Sequence, residues 1–276
     1  MRNIGAICRR EFAGYFTTPI GYVVAGIYAV IVGLGFATRF IYYAWISQAP
    51  ATHNYTAVPD FEEWMLSPFL IYCGLVILFI GPLVTMRLMA EEKNRGTIEL
   101  LLTYPLRDRE IILGKYLAAL GMLAVLIVVA GVNLAMLLYF TEVEPVVLLF
   151  GLLTVFLMGA AFVSMGLFAS SLCSNQVTAG SLTLGFWLAM YILGSLAEDL
   201  PATMRIPEGW PGPVANAASF VYAVFKEFVQ ALPLDAHAED LAQGIVQPQD
   251  IAYYLLFAAF FLFLTFRVLE SRKWRA

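Results

Sequence analysis

Six long apolar runs, separated by polar segments, set the pattern of the chain. A helix needs about 20 mostly apolar residues to cross the hydrocarbon of a bilayer. By that measure the runs predict membrane-spanning helices over residues 20–38, 68–88, 116–139, 146–172, 177–196 and 251–269. Gly81-Pro82, inside the second run, is expected to kink its helix. The pattern predicts an all-α integral membrane protein with six transmembrane helices, in one domain over residues 1–276.

An amphipathic segment precedes the first span. Apolar side chains recur at helical spacing, and three arginines occupy the other side: Ile4, Ile7, Cys8, Phe12, Tyr15 and Phe16 against Arg2, Arg9 and Arg10. Glu11 falls within the apolar arc and interrupts the pattern. We expect residues 1–19 to form a helix that lies in the membrane interface. The alternative is an ordinary basic segment that flanks the first span.

The longest polar stretch, residues 197–250, lies between the fifth and sixth spans. It opens with turn-forming prolines, and a half-apolar helical stretch follows at 217–232. That stretch is too short and too polar to cross a membrane. We expect it to lie on the outer surface, or to enter the bilayer part way, before the chain reaches its last span and tail at 251–276.

Basic residues collect in the segments that six spans would place on one side. Thirteen of the sixteen lie before the first span, from the end of the second span to the start of the third, or from the end of the sixth span onward. With its acidic residues that side sums to +6, whereas the other side sums to −10. Basic loops stay in the cytoplasm. The sequence therefore predicts that both termini and the segment 87–115 are cytoplasmic.

Composition supports a membrane protein and excludes several kinds of site. The chain is 61% hydrophobic and 13% charged, against about 25% charged residues in a soluble protein. Cys8, Cys73 and Cys173 are widely spaced and form no CxxC pair, so we expect no disulfide framework and no metal site.

Motifs for nucleotide binding and for catalysis are missing from the sequence. It contains no GxxxxGK[ST] loop, so the chain should not bind ATP. His53 and His237 both fall outside the predicted spans and are expected to be solvated. Asn133, the one strongly polar amide within a span, is expected to bond to another helix or to line a pore. We predict that this chain has no catalytic residues.

The predicted spans also contain no Asp or Glu. Ion-coupled transporters normally keep such residues on the transport path, where a protonatable or ion-binding group has to sit. A chain that moves something without them must take energy from elsewhere. We therefore expect a partner ATPase on the cytoplasmic side, with ATP and Mg bound there and no cofactor bound by this chain.

The charged segment between the second and third spans has the sequence signals of a short helix between two longer ones. Helix-favouring residues continue through 89–93, and Gly96 is expected to break that helix. Thr97 is a good N-cap for a short helix at 98–103, which Pro105 should end. Asp108 should cap the helix that leads into the third span. A short amphipathic helix held between the two helices that enter the membrane is suited to force transfer. The alternative interpretation of this segment is a solvated loop.

The segment AEEKNRGTIELLLTYPLRDREIILGKYLA, residues 90–118, resembles the signature of ABC-2-type ABC exporter permeases. Residues 9–12 resemble that family's basic elbow helix, 174–176 its short inner loop, and 244–254 its outer segment before the sixth span. The N-terminal RREFAGYFTTPIGYVV is most similar to the gliding-motility-associated permease branch. The resemblance covers essentially the whole chain.

The resemblance implies a permease subunit that pairs with a second permease chain, identical or paralogous, above two ATPase subunits. It implies that a coupling helix between spans two and three inserts into the ATPase. The residues expected to form or brace that contact are Glu91, Glu92, Arg95, Gly96, Thr97, Glu99, Leu100, Leu101 and Pro105.

The implied location is the bacterial inner (cytoplasmic) membrane, in contact with lipids. The resemblance leaves room for a periplasmic accessory protein as a further partner, and it implies no nucleic acid. The implied function is ATP-driven export. The alternative is a mechanotransmitter, which would pass force to an external partner without transport. A membrane enzyme is a more distant third interpretation, and the lack of intramembrane histidines and carboxylates argues against it.

Overall fold

The computed structural model describes residues 2–48, 60–96, 107–140, 145–198, 200–201, 212–234, 237–238, 242, 245 and 247–273. Within these residues the chain forms long α-helices: α1 Arg2–Thr17, α2 Ile20–Gln48, α3 Ser67–Thr85, α4 Arg87–Asn94, α5 Asp108–Phe140, α6 Pro145–Leu172, α7 Gln176–Glu198, α8 Gly212–Gln230 and α9 Pro248–Lys273. The predicted all-α class is confirmed.

Six helical stretches in the described residues are long and apolar enough to cross a membrane, as predicted. They are Ile20–Gln48, Glu62–Asn94, Asp108–Leu137, Pro145–Leu172, Gln176–Leu196 and Pro248–Ser271. The first span, α2, continues ten residues beyond its predicted end at 38 and passes through Arg39. Apolar residues resume after Arg39, and an arginine near the end of a span can extend its side chain toward the headgroups.

The second stretch is built from three consecutive pieces. A π-helical turn, Glu62–Leu66, leads into α3, and α4 follows after one interruption at Met86. Pro82 lies inside α3, and Met86 N–H donates to the Pro82 carbonyl oxygen at 2.9 Å. Gly96 has φ of 68° just after α4, so the predicted glycine break is confirmed. A left-handed backbone conformation after a helix favours glycine, because glycine has no Cβ that would clash.

The centre of the bundle is the contact between α3 and α6. A Cβ on Gly166 would lie 2.4 Å from the Thr85 hydroxyl oxygen, and a Cβ on Gly81 would lie 2.5 Å from the Phe162 ring. Glycines thus let the two helices approach closely, as is common between helices in membranes. In the most apolar part of the second stretch, 67% of the residues are buried inside the chain, the highest buried share of the six stretches. This stretch therefore forms the core of the bundle.

The predicted helix at the N-terminus is present and packs along the start of α5. A Cβ on Gly114 would lie 2.7 Å from Ile7, and one on Gly121 would lie 2.9 Å from Phe12. The hydroxyl of buried Tyr15 donates to the Val84 carbonyl oxygen near the end of α3, at 3.0 Å. Helix α1 is therefore docked against two spans.

We name the two ends of the bundle by their charge. The basic end holds α1, α4, the start of α5 and the end of α9, and the acidic end holds α8 and the start of α9. At the acidic end, the stretch predicted as helical at 217–232 forms α8, which begins earlier and has largely exposed apolar residues.

Two polar residues make contacts that were not predicted. Asn133 donates to the Val129 carbonyl oxygen of its own helix at 3.1 Å, and its place on a pore stays a prediction. His237, expected to be solvated, is 20% exposed and bonded on both ring nitrogens.

Candidate functional site

A buried lysine lies at the centre of the basic end. The Lys115 side chain is 1% exposed, and its position in α5 faces both α1 and α4. Its ammonium nitrogen lies 3.0 Å from a carboxylate oxygen of Glu92 and 3.3 Å from one of Glu11. Three helices that are distant in sequence therefore meet at one charge.

Arg10 completes this arrangement on the solvent side. One guanidinium nitrogen lies 2.6 Å from Glu11 Oε1 and 3.3 Å from Glu92 Oε1. Two cations and two carboxylates balance, which matters because an unpaired buried charge is strongly unfavourable. We call Arg10, Glu11, Glu92 and Lys115 the junction network.

The surroundings of Glu11 keep its carboxylate ionised. Burial raises the pKa of the Glu11 carboxyl, but the Lys115 charge and the hydrogen bond from Arg10 lower it more, so the net shift is downward from 4.5. The carboxylate therefore remains available to both cations throughout the neutral range.

A second set of ion pairs stiffens α4 itself. Glu91 accepts from Arg87 at 3.1 Å and from Arg95 at 2.7 Å, each four residues away along the helix. Arg87 also lies over the Tyr15 ring, 5.9 Å from its centroid, and donates to the Thr18 hydroxyl at 3.4 Å. These contacts hold the start of α4 against the end of α1.

Ser170 connects α4 to α6 at the interruption of the second stretch. Its buried hydroxyl accepts from the backbone N–H groups of Met89 and Ala90 and donates to the Met86 carbonyl oxygen, each at 3.0 Å. One hydroxyl thereby satisfies three backbone groups. Lys93 adds a hydrogen bond to the Ser171 carbonyl oxygen.

The structure describes four of the nine residues that the sequence analysis selected. Glu91 and Glu92 lie in α4 with their carboxylates turned toward arginines and Lys115, whereas Arg95 is 70% exposed and Gly96 is exposed. The other five residues fall outside the described residues: Thr97, Glu99, Leu100, Leu101 and Pro105. The predicted short helix at 98–103 also falls outside them.

The predicted cap at Asp108 is displaced by one residue. Helix α5 begins at Asp108 itself, and the Arg107 N–H donates to Glu110 Oε2 at 3.2 Å. That bond is one half of a capping box, in which the third helical residue reaches back to the N-cap. The sequence analysis considered only the side chain of Asp108 and missed Glu110.

Four further residues of the site were not predicted from the sequence: Arg10, Glu11, Lys115 and Ser170. One signal was present: Glu11 interrupts an otherwise apolar arc, and a charge in such a position needs a partner. Lys115 gave a similar signal, since it stands at the start of an apolar run. Ser170 carried no signal, because a serine within a span has many possible roles.

The described residues contain no group of three or more His, Cys, Asp or Glu side chains placed to hold a metal ion. Cys8, Cys73 and Cys173 are free thiols. The polar chemistry of the basic end consists of ion pairs and helix-to-helix hydrogen bonds, an arrangement suited to transmitting displacement.

Comparison with known proteins adds to this geometry. Residues 10–274 match the family model described as ABC-2 family transporter protein. A curated relative, the probable ABC transporter permease protein NosY of Pseudomonas aeruginosa (strain PAO1), is 31% identical over 193 residues. That alignment spans 66% of this chain and 66% of the relative, just under two thirds of its length.

Proposed function

This chain belongs to the ABC-2 family of transporter proteins, and on that premise we propose that it couples ATP hydrolysis by separate ATPase subunits to the export of a substrate. Family membership makes it the permease component of an ABC transporter, a multi-pass membrane protein with six apolar spans. The bacterial inner membrane is consistent with this membership. In the proposed assembly two permease chains stand above two ATPase subunits, which bind ATP and Mg.

The observation that carries the proposal is the junction network. The segment 97–106, which the sequence predicts to contact the ATPase, is flanked by α4 and α5. The Glu92–Lys115 pair joins these two helices at 3.0 Å, close to where the segment begins and ends. A push on the segment would therefore move both helices together instead of separating them.

Displacement would then spread from α4 and α5 to the rest of the bundle. Ser170 would pass motion of α4 to α6, and Glu11 would pass motion of α5 to α1. Because α1 leads directly into the first span, the basic end would respond as one body. The spans would answer by changing access to a path between the two permease chains.

This assignment separates the selected residues by role. Glu92 would brace the junction from within, and Glu91 would stiffen α4. Exposed Arg95 would be available to the ATPase, and Gly96 would let the chain turn into the contact segment. The roles of Thr97, Glu99, Leu100, Leu101 and Pro105 in that contact rest on the sequence resemblance.

The test uses the permease assembled with its own ATPase. We expect Glu92→Ala and Leu101→Asp to leave the chain inserted and ATP hydrolysis measurable, while abolishing ATP-dependent changes in the labelling of a single cysteine in the spans. Glu270→Ala, which removes a 55% exposed carboxylate at the same end, is the matched control and should have no effect. Full ATPase association and ATP-dependent labelling in both variants would overturn the assignment.

A force-transmitting role remains the second candidate, because α8 exposes large apolar side chains. Phe220 is 70% exposed, Phe228 64% and Phe225 57%, and the segment around them carries many acidic residues. Such a surface could dock an external accessory protein. A wide gap lined by small residues between the two permease chains would favour export, whereas a dry, tightly packed seam would favour force transfer.

A further inference from the structure

His237 sits between two hydrogen-bond acceptors. Its Nε2 lies 3.0 Å from the Ala231 carbonyl oxygen, and its Nδ1 lies 2.8 Å from Asp250 Oδ1. A carbonyl oxygen can only accept, and an ionised carboxylate can only accept as well. Both contacts are therefore hydrogen bonds only when both ring nitrogens carry a hydrogen, as in the imidazolium ion.

From this geometry we propose that His237 and Asp250 form a proton-dependent latch, which fastens the described residues of the segment 231–238, namely 231–234 and 237–238, to the first turn of α9. With one proton between Nδ1 and Oδ1, the 2.8 Å contact is a charge-assisted hydrogen bond. Without that proton the ring has a single N–H, so His237 can donate to Asp250 or to Ala231 but not to both, and one of the two contacts must open. Imidazole is the side chain that ordinarily titrates between about pH 5 and 8.

Asp250 is placed to serve as the acceptor of the latch. Asp250 lies in the first turn of α9, where its N–H donates to the Gln247 carbonyl oxygen at 3.2 Å. Negative charge is favoured at a helix N-terminus. The side chain is 8% exposed, so the carboxylate has little water to replace the histidine.

The latch closes a larger set of contacts to the same segment. Tyr253 donates to the Leu232 carbonyl oxygen at 2.6 Å, and Tyr254 donates to that of Leu234 at 2.7 Å. The His237 ring stacks on Tyr253, with 4.0 Å between centroids. Three carbonyl oxygens of the segment are thus held by α9 and His237, but only the histidine contact requires a proton in the neutral range.

The other groups around the histidine do not replace this proton. Tyr253 and Tyr254 face the histidine from α9, and the ammonium of Lys226 on α8 donates instead to the Leu200 carbonyl oxygen at 2.8 Å. Glu227 on α8 is exposed. Leu234, Ala238 and Tyr254 belong to a hydrophobic cluster of buried residues. The side chains that α3, α6 and α7 contribute to this cluster are apolar or aromatic: Leu78, Met158, Ala161, Phe162, Met165, Trp187 and Met190. Acidic residues also stand near His237 in the sequence, at positions 235, 239 and 240, outside the described residues.

The test measures backbone hydrogen exchange of 231–238 in the full chain in lipid nanodiscs, after correction for intrinsic pH dependence. From about pH 5 to about pH 8 we expect protection to fall about tenfold, the size of effect of one charge-assisted hydrogen bond. Asp250→Asn should remove this dependence and stay protected, because an asparagine amide can donate to a neutral Nδ1. His237→Ala should be weakly protected at every pH.

Nitrogen NMR of the imidazole gives an independent readout. The chain has two histidines, so His53→Gln in a preparation without a polyhistidine tag leaves His237 as the single ¹⁵N-histidine signal. We expect both ring nitrogens protonated at low pH and one at high pH, with the change coinciding with the loss of protection. Protection independent of pH in the natural chain, or equal pH dependence in Asp250→Asn, would overturn the latch. The inference does not depend on the proposed function.

Discussion

Two polar clusters fasten peripheral segments to the spans, one at each end of the bundle, and they depend on protons in opposite ways. In the junction network two cations serve two carboxylates, so every charge has a partner throughout the neutral range. In the His237–Asp250 latch one proton decides whether the ring can donate to both of its acceptors, Asp250 and the Ala231 carbonyl oxygen, or to only one of them.

The difference follows from the residue types that meet. Lysine and arginine keep their charge well above neutral pH, whereas imidazole loses its charge near it. The basic end therefore has a joint that neutral pH leaves closed, as force transfer needs. The acidic end has a contact whose strength can follow the surrounding pH. Substitutions in the junction network and in the latch test this difference in proton dependence, and the largest effect is expected at Lys115.

Lys115→Met should have the largest effect, because it leaves Glu11 and Glu92 partly buried with only Arg10 between them. Removing one partner of a buried ion pair costs about 3–5 kcal/mol. We expect the free energy of unfolding, measured by SDS titration in mixed micelles, to fall by about that amount. Adding Glu11→Gln should recover part of the loss, because the charges balance again.

Arg267→Met is the matched control for that measurement. It removes a cation at the same end from a pair with Glu270 whose side chains are 64% and 55% exposed. Exposed pairs contribute little, so the change should stay within about 0.5 kcal/mol. Similar losses for Lys115→Met and Arg267→Met would remove the distinction between a buried joint and surface charge.

The sequence predicted the six spans, a helix within residues 1–19 and the break at Gly96, because each rests on local patterns. Apolar run length identifies a span, and a glycine after a helix marks its end. The meeting of Glu11, Glu92 and Lys115 could not be predicted, because it depends on how α1, α4 and α5 pack. Glu11 looked like a flaw in an amphipathic pattern until the packing supplied its partners. His237 looked solvated for the same reason, since its contacts lie on α9.

Acid should weaken the junction network, the reverse of the expected response of the latch. The Glu11 pKa is lowered in the folded chain, so its contribution to stability is present above about pH 4.5 and is lost as pH falls through the folded value. We expect Glu11→Gln to abolish that acid-dependent part of the SDS unfolding free energy. It should leave the exchange of 231–238 between about pH 5 and 8 unchanged. If both regions weakened in the same pH direction, the contrast would be wrong.

Tyr253→Phe should produce the smallest effect and separate a simple hydrogen bond from the proton-dependent one. The phenol donates to the Leu232 carbonyl oxygen at 2.6 Å, and a typical hydrogen bond contributes about 0.5–1.5 kcal/mol. The stacked ring is kept, so His237 and Asp250 should still pair. Hydrogen exchange of 231–238 should therefore rise by a constant factor at every pH, with the pH dependence unchanged. A variant that lost the pH dependence would place the sensitive contact on the tyrosine instead of the histidine.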